Sequence, residues 1–466
     1  MPDDAPRDGV LLGADLGTSG LKLLALDVAG RVVAEAERGY PIDRPAPDRA
    51  ETDVSLWRHA FDGALAALAP ALAGVRVLAL GLSGQMHGAV LVDPAGRALR
   101  PALLWADSRA AAELDLWRAL PQADRAALAN PLVAGMTGPM LAWLARHEPR
   151  VLEQAAAVLL PKDALRATLL PDQPPVTERS DASATLLWDV TADDWSAAAV
   201  AAAGVDPGLL PAVRPSDDLL GTANLAVGNV PVVTGGADTP LALLAAGTPV
   251  AQLNLGTGAQ LLRPGWVPAP VADPVVHGYA DVSGSWYAMA ALQNGGSAWE
   301  WVCDVLEMSW AELFEAAATV SAGAGGVTFR PFLAGERGGV ARPSDRGGWS
   351  GLHPGTTRAD LARAAVEGVV FAIGAAFRLL DVPDGEEPVV LTGGGVRPPV
   401  VRQLVADVLR RPVRYLPLRS ASAIGAAVLA GRGVGLDVVP AGPSGDVVDP
   451  QGDAGLRGAA DRWART

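Results

Sequence analysis

Apolar runs separated by glycine turns set the pattern of the amino-terminal region. VLLGAD is an apolar run and GTSG a glycine-rich turn; LKLLALD resumes, Ala29 and Gly30 turn the chain, and RVVAEAER follows with partial alternation. This order predicts a three-stranded meander. Residues 63–84 are apolar enough to raise the question of a membrane span, but Pro70, Gly74 and Arg76 interrupt them and alanine supplies much of the apolarity. They predict a helix followed by a buried strand. LGLSGQMHGAVLVD reads as a strand, a loop at Gly84–Gly88 and another strand, and PVVTGGADTPLALLAAG as a buried strand breaking at two glycines into a small-residue helix.

Two of these patterns recur. LNLGTGAQLLR at 253–263 repeats the apolar strand, LGT turn and second strand of LLGADLGTSGLKLL, and VVLTGGGVRPPVVRQLVADVL repeats the strand, TGG and helix of VVTGGADTPLALL. Repeats so far apart indicate duplicated domains rather than a solenoid. The expected organisation is two related α/β halves, 1–245 and 246–466, the first carrying more inserted sequence. LAAGTP, with Gly247 and Pro249, supplies the boundary.

Composition narrows the function classes. A chain of 466 residues, half of them apolar, can bury full cores. Its single cysteine, Cys303, can form neither an internal bridge nor a zinc cage, and a reducing cytoplasm is the expected compartment. Beside Trp301 and Val302 it reads as a buried structural thiol. The opening MPDDAPRDGV does not read as a secretory leader. A net charge of -14 argues against nucleic acid or an anionic membrane as partner, since both demand clustered positive charge. Small molecules are the expected partners. Of 37 basic residues only Lys22 and Lys162 are lysine, and both lie in motif-like segments where a compact ammonium does what a guanidinium cannot.

Candidate chemistry sits in the turns. Gly17, Thr18 and Ser19 in one LGT turn and Gly256 and Thr257 in the other offer open backbone amides and hydroxyls to phosphate oxygens; singly each also reads as a hairpin, but as a pair they suggest a cleft gripping one polyphosphate. Asp15, just ahead of the first turn, is suited to Mg²⁺, which takes a carboxylate together with phosphate oxygens. Asp238 is the only charged residue between Asp218 and Arg263, at the carboxyl end of a predicted strand where open α/β sheets bind ligands. It reads as a general base for a hydroxyl attacking a phosphoryl group, with a helix N-cap as the structural alternative. The loop holding Gln85, Met86 and His87 offers amide, thioether and imidazole to a polar ligand, and the WADSR segment with Trp105, Asp107 and Arg109 suits a polyhydroxylated one. Taken singly, His87 also reads as a solvated or locally hydrogen-bonded turn residue and WADSR as a surface loop.

Ten segments in order resemble the FGGY carbohydrate kinases: DLGTSGLK (15–22), SGQMHG (83–88), WADSR (105–109), LLPKDALR (159–166), SDASAT (180–185), GGADT (235–239), LNLGTG (253–258), FLAGERG (332–338), GGGVR (393–397) and AIGAAVLAG (423–431). The resemblance implies two ribonuclease-H-like domains closing on ATP and Mg²⁺, an architecture shared with actin and the heat-shock chaperone ATPases. SGQMHG directs it toward members that phosphorylate D-xylulose to D-xylulose 5-phosphate. Ribulose, gluconate or glycerol as substrate, or a non-catalytic sensor on the same fold, are the alternatives.

The resemblance also implies roles by position. Asp238 would be the base and Asp15 would organise the metal. Gly17, Thr18, Ser19 and Lys22 would face phosphate from the first half and Gly256 and Thr257 from the second. Met86, His87, Trp105 and Asp107 would surround the sugar, Gly296 and Glu300 would lie near the nucleotide, and Gly394 and Gly395 would lie beside the adenine. Departures from the family pattern are Thr239, commonly Asn; Gly338 and Gly339, usually Thr-Pro; and Val401, commonly Trp. The carboxyl-terminal tail, rich in Gly, Pro and Asp, is expected to be partly loop. A homodimer is compatible with the sequence, which does not specify it.

Overall fold

The computed structural model describes residues 9–247, 250–336, 339–441 and 445–465. Strands β1 (Val10–Leu16), β2 (Gly20–Asp27) and β3 (Val32–Gly39) form the antiparallel meander the amino-terminal pattern predicts. Residues 63–84 divide into the end of helix α1 (Val54–Leu68) and strand β4 (Val77–Gly84), which runs parallel to β1. Asp53 caps α1 by accepting from the Ser55 amide, and Trp57, Phe61, Leu65 and Leu68 form its buried face. No helix among the described residues is long and apolar enough to cross a membrane. Beyond a long insertion, β5 (Leu219–Leu225) and β6 (Gly228–Val233) form a hairpin, with β6 parallel to β4, and the sheet order is β5-β6-β4-β1-β2-β3. The insertion carries helix α2 (Pro161–Leu169) and the single turn α3 (Arg179–Ala182); helix α4 (Asp238–Ala246) follows the sheet.

The second sheet repeats this plan. Strands β7 (Gln252–Leu255), β8 (Ala259–Pro264), β9 (His277–Ala280) and β10 (Trp286–Leu292) are antiparallel, while β11 (Val389–Thr392) is parallel to β7 and β12 (Val413–Tyr415) to β11, with β13 (Val447–Val448) at the edge. The order is β9-β10-β8-β7-β11-β12-β13. Each sheet thus contains three antiparallel strands continued by two parallel ones, the ribonuclease-H-like arrangement expected. The registers coincide: Asp15 lies opposite Ser83 in the first sheet, and Asn254 opposite Thr392 in the second.

This register corrects half of the internal repeat. The LGT turns occupy equivalent places, between β1 and β2 and between β7 and β8. The TGG motifs do not, because the first follows β6, the fifth strand of its plan, and the second follows β11, the fourth. Ser83–Gly84 is the true counterpart of Thr392–Gly393. Glycines after a parallel strand answer a local demand for a sharp exit toward a helix, and that demand arises at more than one strand end.

Further helices are α5 (Gly296–Leu306), α6 (Trp310–Thr319), α7 (Arg358–Leu379), α8 (Pro399–Leu409), α9 (Ala421–Gly433) and α10 (Ala454–Arg465). Although α9 comes late in the chain, it packs on α4 and across β1 and β4 of the first sheet. Its approach depends on missing side chains: a Cβ at Gly13 would lie 1.9 Å from the Ala423 carbonyl oxygen, and one at Gly81 2.0 Å from that of Ala426. The tail is partly loop as expected, but α10 buries Leu456, Ala459 and Trp463 in the second core. Three apolar residues at helical spacing outweigh the surrounding glycine and aspartate. Cys303 is buried on α5, as anticipated.

Candidate functional site

The first half gathers its polar residues at the carboxyl ends of β1, β4 and β6. Asp15, near the end of β1, accepts a hydrogen bond from Ser83 Oγ at 2.8 Å, and Lys22 lies opposite it on β2. Burial raises the Asp15 pKa, while Ser83 and Lys22 pull the other way. The turn that follows closes through Gly17 N–H to the Gly20 carbonyl at 3.0 Å. The Gly17 carbonyl accepts from Tyr40 Oη and, at 3.4 Å, from Gln85 Nε2. Ser19 is exposed at the tip. Trp105 Nε1 donates to Thr18 Oγ1 at 2.9 Å, yet the indole is 47% exposed, so the WADSR segment presents an open aromatic face beside the turn.

Asp238 is the first residue of α4. Before it, Gly236 and Ala237 run parallel to Ser83 and Gly84, which carries the carboxylate round to the β1 and β4 ends. Gly235 makes the bend with φ +95°, where a Cβ would lie 2.4 Å from the Leu82 carbonyl oxygen. Burial, and next the charge of Asp15, push Asp238 up to about 7. Thr239, where the resemblance leads one to expect Asn, donates to Asp238 Oδ1 through its backbone N–H at 2.6 Å and its hydroxyl at 3.2 Å. A carboxylate titrating near neutrality can take a proton from a hydroxyl and release it again.

Met86 and His87 lie where β4 leaves the sheet. Met86 is buried, its sulfur 3.9 Å from the Tyr287 hydroxyl on β10, so this loop touches the second half. His87 has φ +65°, and its Nδ1 lies 2.5 Å from the Ala184 carbonyl. Because a carbonyl only accepts, Nδ1 carries the proton and Nε2 is left as an acceptor. Burial lowers the imidazole pKa to about 4, keeping the ring neutral. Asp107, grouped with these residues by sequence, is turned inward. It accepts from the Ala50 amide at 2.8 Å and from Arg109 Nε and Nη2 at 2.9 and 2.7 Å. Arg109 continues to Glu51 at 2.6 Å, which Arg100 also holds. This ion-pair group supports the Trp105 loop from beneath.

In the second half, Gly256 and Thr257 are exposed at the β7–β8 turn. The start of α5 folds onto them: the Gly296 amide donates to the Gly256 carbonyl at 2.9 Å and the Ser297 amide to that of Thr257 at 2.9 Å. A Cβ on Gly296 would lie 2.6 Å from the Gly256 carbonyl oxygen. Glu300 lies on the exposed side of α5, one turn along. Gly394 borders open space and Gly395 packs on Leu255, in the short helical turn after β11. Arg337 and Gly338 of FLAGERG, and Thr248 and Pro249 of the boundary segment, lie outside the described residues. Sequence reasoning missed Ser83, Tyr40 and Glu51. Ser83 had a visible signal as the one hydroxyl in an apolar strand, whereas Tyr40 and Glu51 reach their partners only through the fold.

A family profile described as the N-terminal domain of the FGGY family of carbohydrate kinases matches residues 10–245, and the C-terminal counterpart matches 251–434. A xylulose kinase of Escherichia coli is 33% identical over 436 residues, covering 90% of this chain and 88% of its own length. The crystal structure of a xylulose kinase from Rhodospirillum rubrum superposes with a TM-score of 0.89 at 27% identity, covering 98% of this chain and 97% of that one. A gluconate kinase structure from Lactobacillus acidophilus shares the fold with the same TM-score, 0.89, at 21% identity, covering 98% of this chain and 97% of its own. The chain belongs to the FGGY family of carbohydrate kinases and is an ATP-dependent sugar kinase.

Proposed function

We propose that this kinase phosphorylates the terminal primary hydroxyl of a ketopentose, D-xylulose at O5. The sugar binds against the first half, residues 1–245, and ATP against the second, from 246 onward. Asp238 is the general base. The sugar oxygen forms its bond to the γ-phosphorus, the bond from that phosphorus to the β-bridging oxygen breaks, the hydroxyl proton passes to Asp238, and ADP leaves. The observation that carries this reading is a carboxyl pushed up to about 7 beside Asp15, at converging strand ends.

Other groups bind and orient. His87 Nε2, fixed as an acceptor, accepts a hydrogen bond from a sugar hydroxyl, and Met86 and the face of Trp105 give the apolar contact. The amides of the Gly17–Ser19 and Gly256–Thr257 turns, with Lys22, hold phosphate; Gly296 and Glu300, and Gly394 and Gly395, border the nucleoside. Asp107 acts through the loop that carries Trp105. The donor set fits Mg²⁺. No group of three His, Cys, Asp or Glu side chains able to hold a metal occurs among the described residues, and one carboxylate, Asp15, suits an ion bound mainly by phosphate oxygens and water. When bound, Mg²⁺ supplies neutralisation of charge on the transferring phosphate.

The ketopentose assignment is supported by relatives named xylulose kinase at 28–34% identity. The fold alone does not select it, since a gluconate kinase shares it. Release of ADP should be measured with D-xylulose, D-ribulose, gluconate and glycerol, with the position of the phosphate read on the product. The expected result is a kcat/KM for D-xylulose at least about tenfold above the others, a difference of about 1.4 kcal/mol in transition-state binding. A higher value for another sugar reassigns the substrate, and no sugar-dependent release at all removes the catalytic reading.

A further inference from the structure

Lys162 takes no part in the chemistry proposed above, yet it is 0% exposed in the first turn of α2. Its ammonium lies 2.7 Å from Asp163, 2.8 Å from Asp181 and 3.5 Å from Glu178. Burial works against the charge, and the three carboxylates outweigh it, so the lysine pKa stands above its ordinary value. Arg166, one turn further, shares Asp163 at 2.7 Å. Burial, with Glu178 and Asp163 adding like charge, raises Asp181 above the ordinary carboxylate range. Such a cluster is no stabilising bargain, because a well-packed apolar replacement is often equal or better.

What the cluster touches gives it a purpose. Arg166 Nη1 donates to the Thr234 carbonyl. Ser180 Oγ donates to Glu178 Oε1 at 2.8 Å and accepts from the Ala237 amide at 2.9 Å. Ser216 Oγ donates to Glu178 Oε2 at 3.0 Å, and the Ser216 carbonyl accepts from the Gly235 amide at 2.9 Å. Thr234, Gly235 and Ala237 form the turn that ends in Asp238. The stem of Lys162 lies against the other wall: a Cβ on Gly84 would come within 2.7 Å of Lys162 Cβ, and one on Gly235 within 3.5 Å of Cδ. Gly84 begins the loop that carries Gln85, Met86 and His87.

We propose that Lys162 is a positioning residue that sets the base-bearing turn, Thr234–Asp238, against the sugar-facing loop, Gln85–His87. It acts on the turn by two routes, through Asp163 and Arg166 to Thr234 and through Glu178 and Ser180 to Ala237, while its stem spaces the turn from Gly84. A point charge on a slender stem fits between the two glycines, and a planar guanidinium does not. One of the two lysines among 37 basic residues is thereby accounted for. The inference rests on Asp238 being the base.

The test uses Lys162→Met, which keeps the stem and removes the charge, and Ser180→Ala, which removes the side-chain bond to the Ala237 amide. Both are also made in an Asp238→Asn background. For Lys162→Met we expect kcat to fall about tenfold or more, as for a base displaced from its line of attack, with KM for ATP within about twofold of the parent. Ser180→Ala should move the same way by a smaller factor, and neither should lower the residual turnover of Asp238→Asn. A folded Lys162→Met with kcat within about twofold of the parent, or one whose whole loss lies in KM for ATP, overturns the inference. So does an undiminished loss in the Asp238→Asn background. Should Lys162→Met not fold, an unchanged kcat in Ser180→Ala overturns it alone. Near-normal turnover of Asp238→Asn by itself refutes the base reading, and this inference with it.

Discussion

The two halves build the same strand ends and furnish them differently. In the first sheet the position two residues before the glycine turn is Asp15; in the second, at the same register, it is Asn254. The helix after the fifth strand begins with Asp238 in one half and with Ala421 in the other. Around the first turn stand Lys22, Tyr40 and Trp105, whereas the second turn is closed by backbone amides from the start of α5. The shared plan therefore carries two equivalent glycine turns, while Asp15 and Asp238 of the first half are matched by the uncharged Asn254 and Ala421 in the second. The physical reason is charge: amides can wrap a polyphosphate without a counter-ion, but every added carboxylate repels it unless a cation intervenes.

The sharpest way to break this comparison is to remove the acid that has no partner in the second half. Asp238→Asn should lower turnover by about 10²–10⁴ while ATP binding, measured by calorimetry, stays close to the parent. The free enzyme's pH dependence should carry the same residue's signature. The base works only unprotonated, and its pKa is about 7, so kcat/KM for sugar should fall about tenfold per unit below that pH and level off above it. A profile flat from pH 5.5 to 8 in steady-state assays would place the working base elsewhere.

The neutral half can be made to resemble the charged one. Asn254→Asp puts a carboxylate beside the second turn, where repulsion of about 1 kcal/mol should raise KM for ATP about fivefold and leave KM for the sugar unchanged. Equal effects on both would mean that the halves do not divide their ligands. The mildest change is Trp105→Phe, which removes the hydrogen bond to Thr18 and keeps most of the aromatic face. Loss of one exposed hydrogen bond should cost about 0.5–1 kcal/mol, a rise of about threefold in KM for one substrate in initial-rate assays.

Much of this arrangement was legible in the linear chain. The meander, the glycine turns and the isolated Asp238 follow from local pattern, because each is a property of a few consecutive residues. The repeat was only half legible. The LGT turns are true equivalents, but GGAD and GGG exit different strands of the plan, which the register of Asp15 with Ser83 and of Asn254 with Thr392 reveals. Asp107 and His87 looked alike as polar residues near a sugar. One proved to be locked beneath its loop by Arg109, and the other kept an acceptor nitrogen, Nε2, because its Nδ1–H donates to the Ala184 carbonyl.

By itself the sequence determined the meander, the strand-to-helix breaks, the two glycine turns and the acids that stand before or after them, since backbone geometry and charge isolation act over short stretches. Tertiary structure alone decided which acids meet. It brought Asp238 beside Asp15 through a parallel pairing with β4, laid a helix of the second half across the first sheet, and buried Lys162 among three carboxylates behind Asp238. These are contacts between residues far apart in the chain, and their energies depend on burial and spacing that no local pattern encodes.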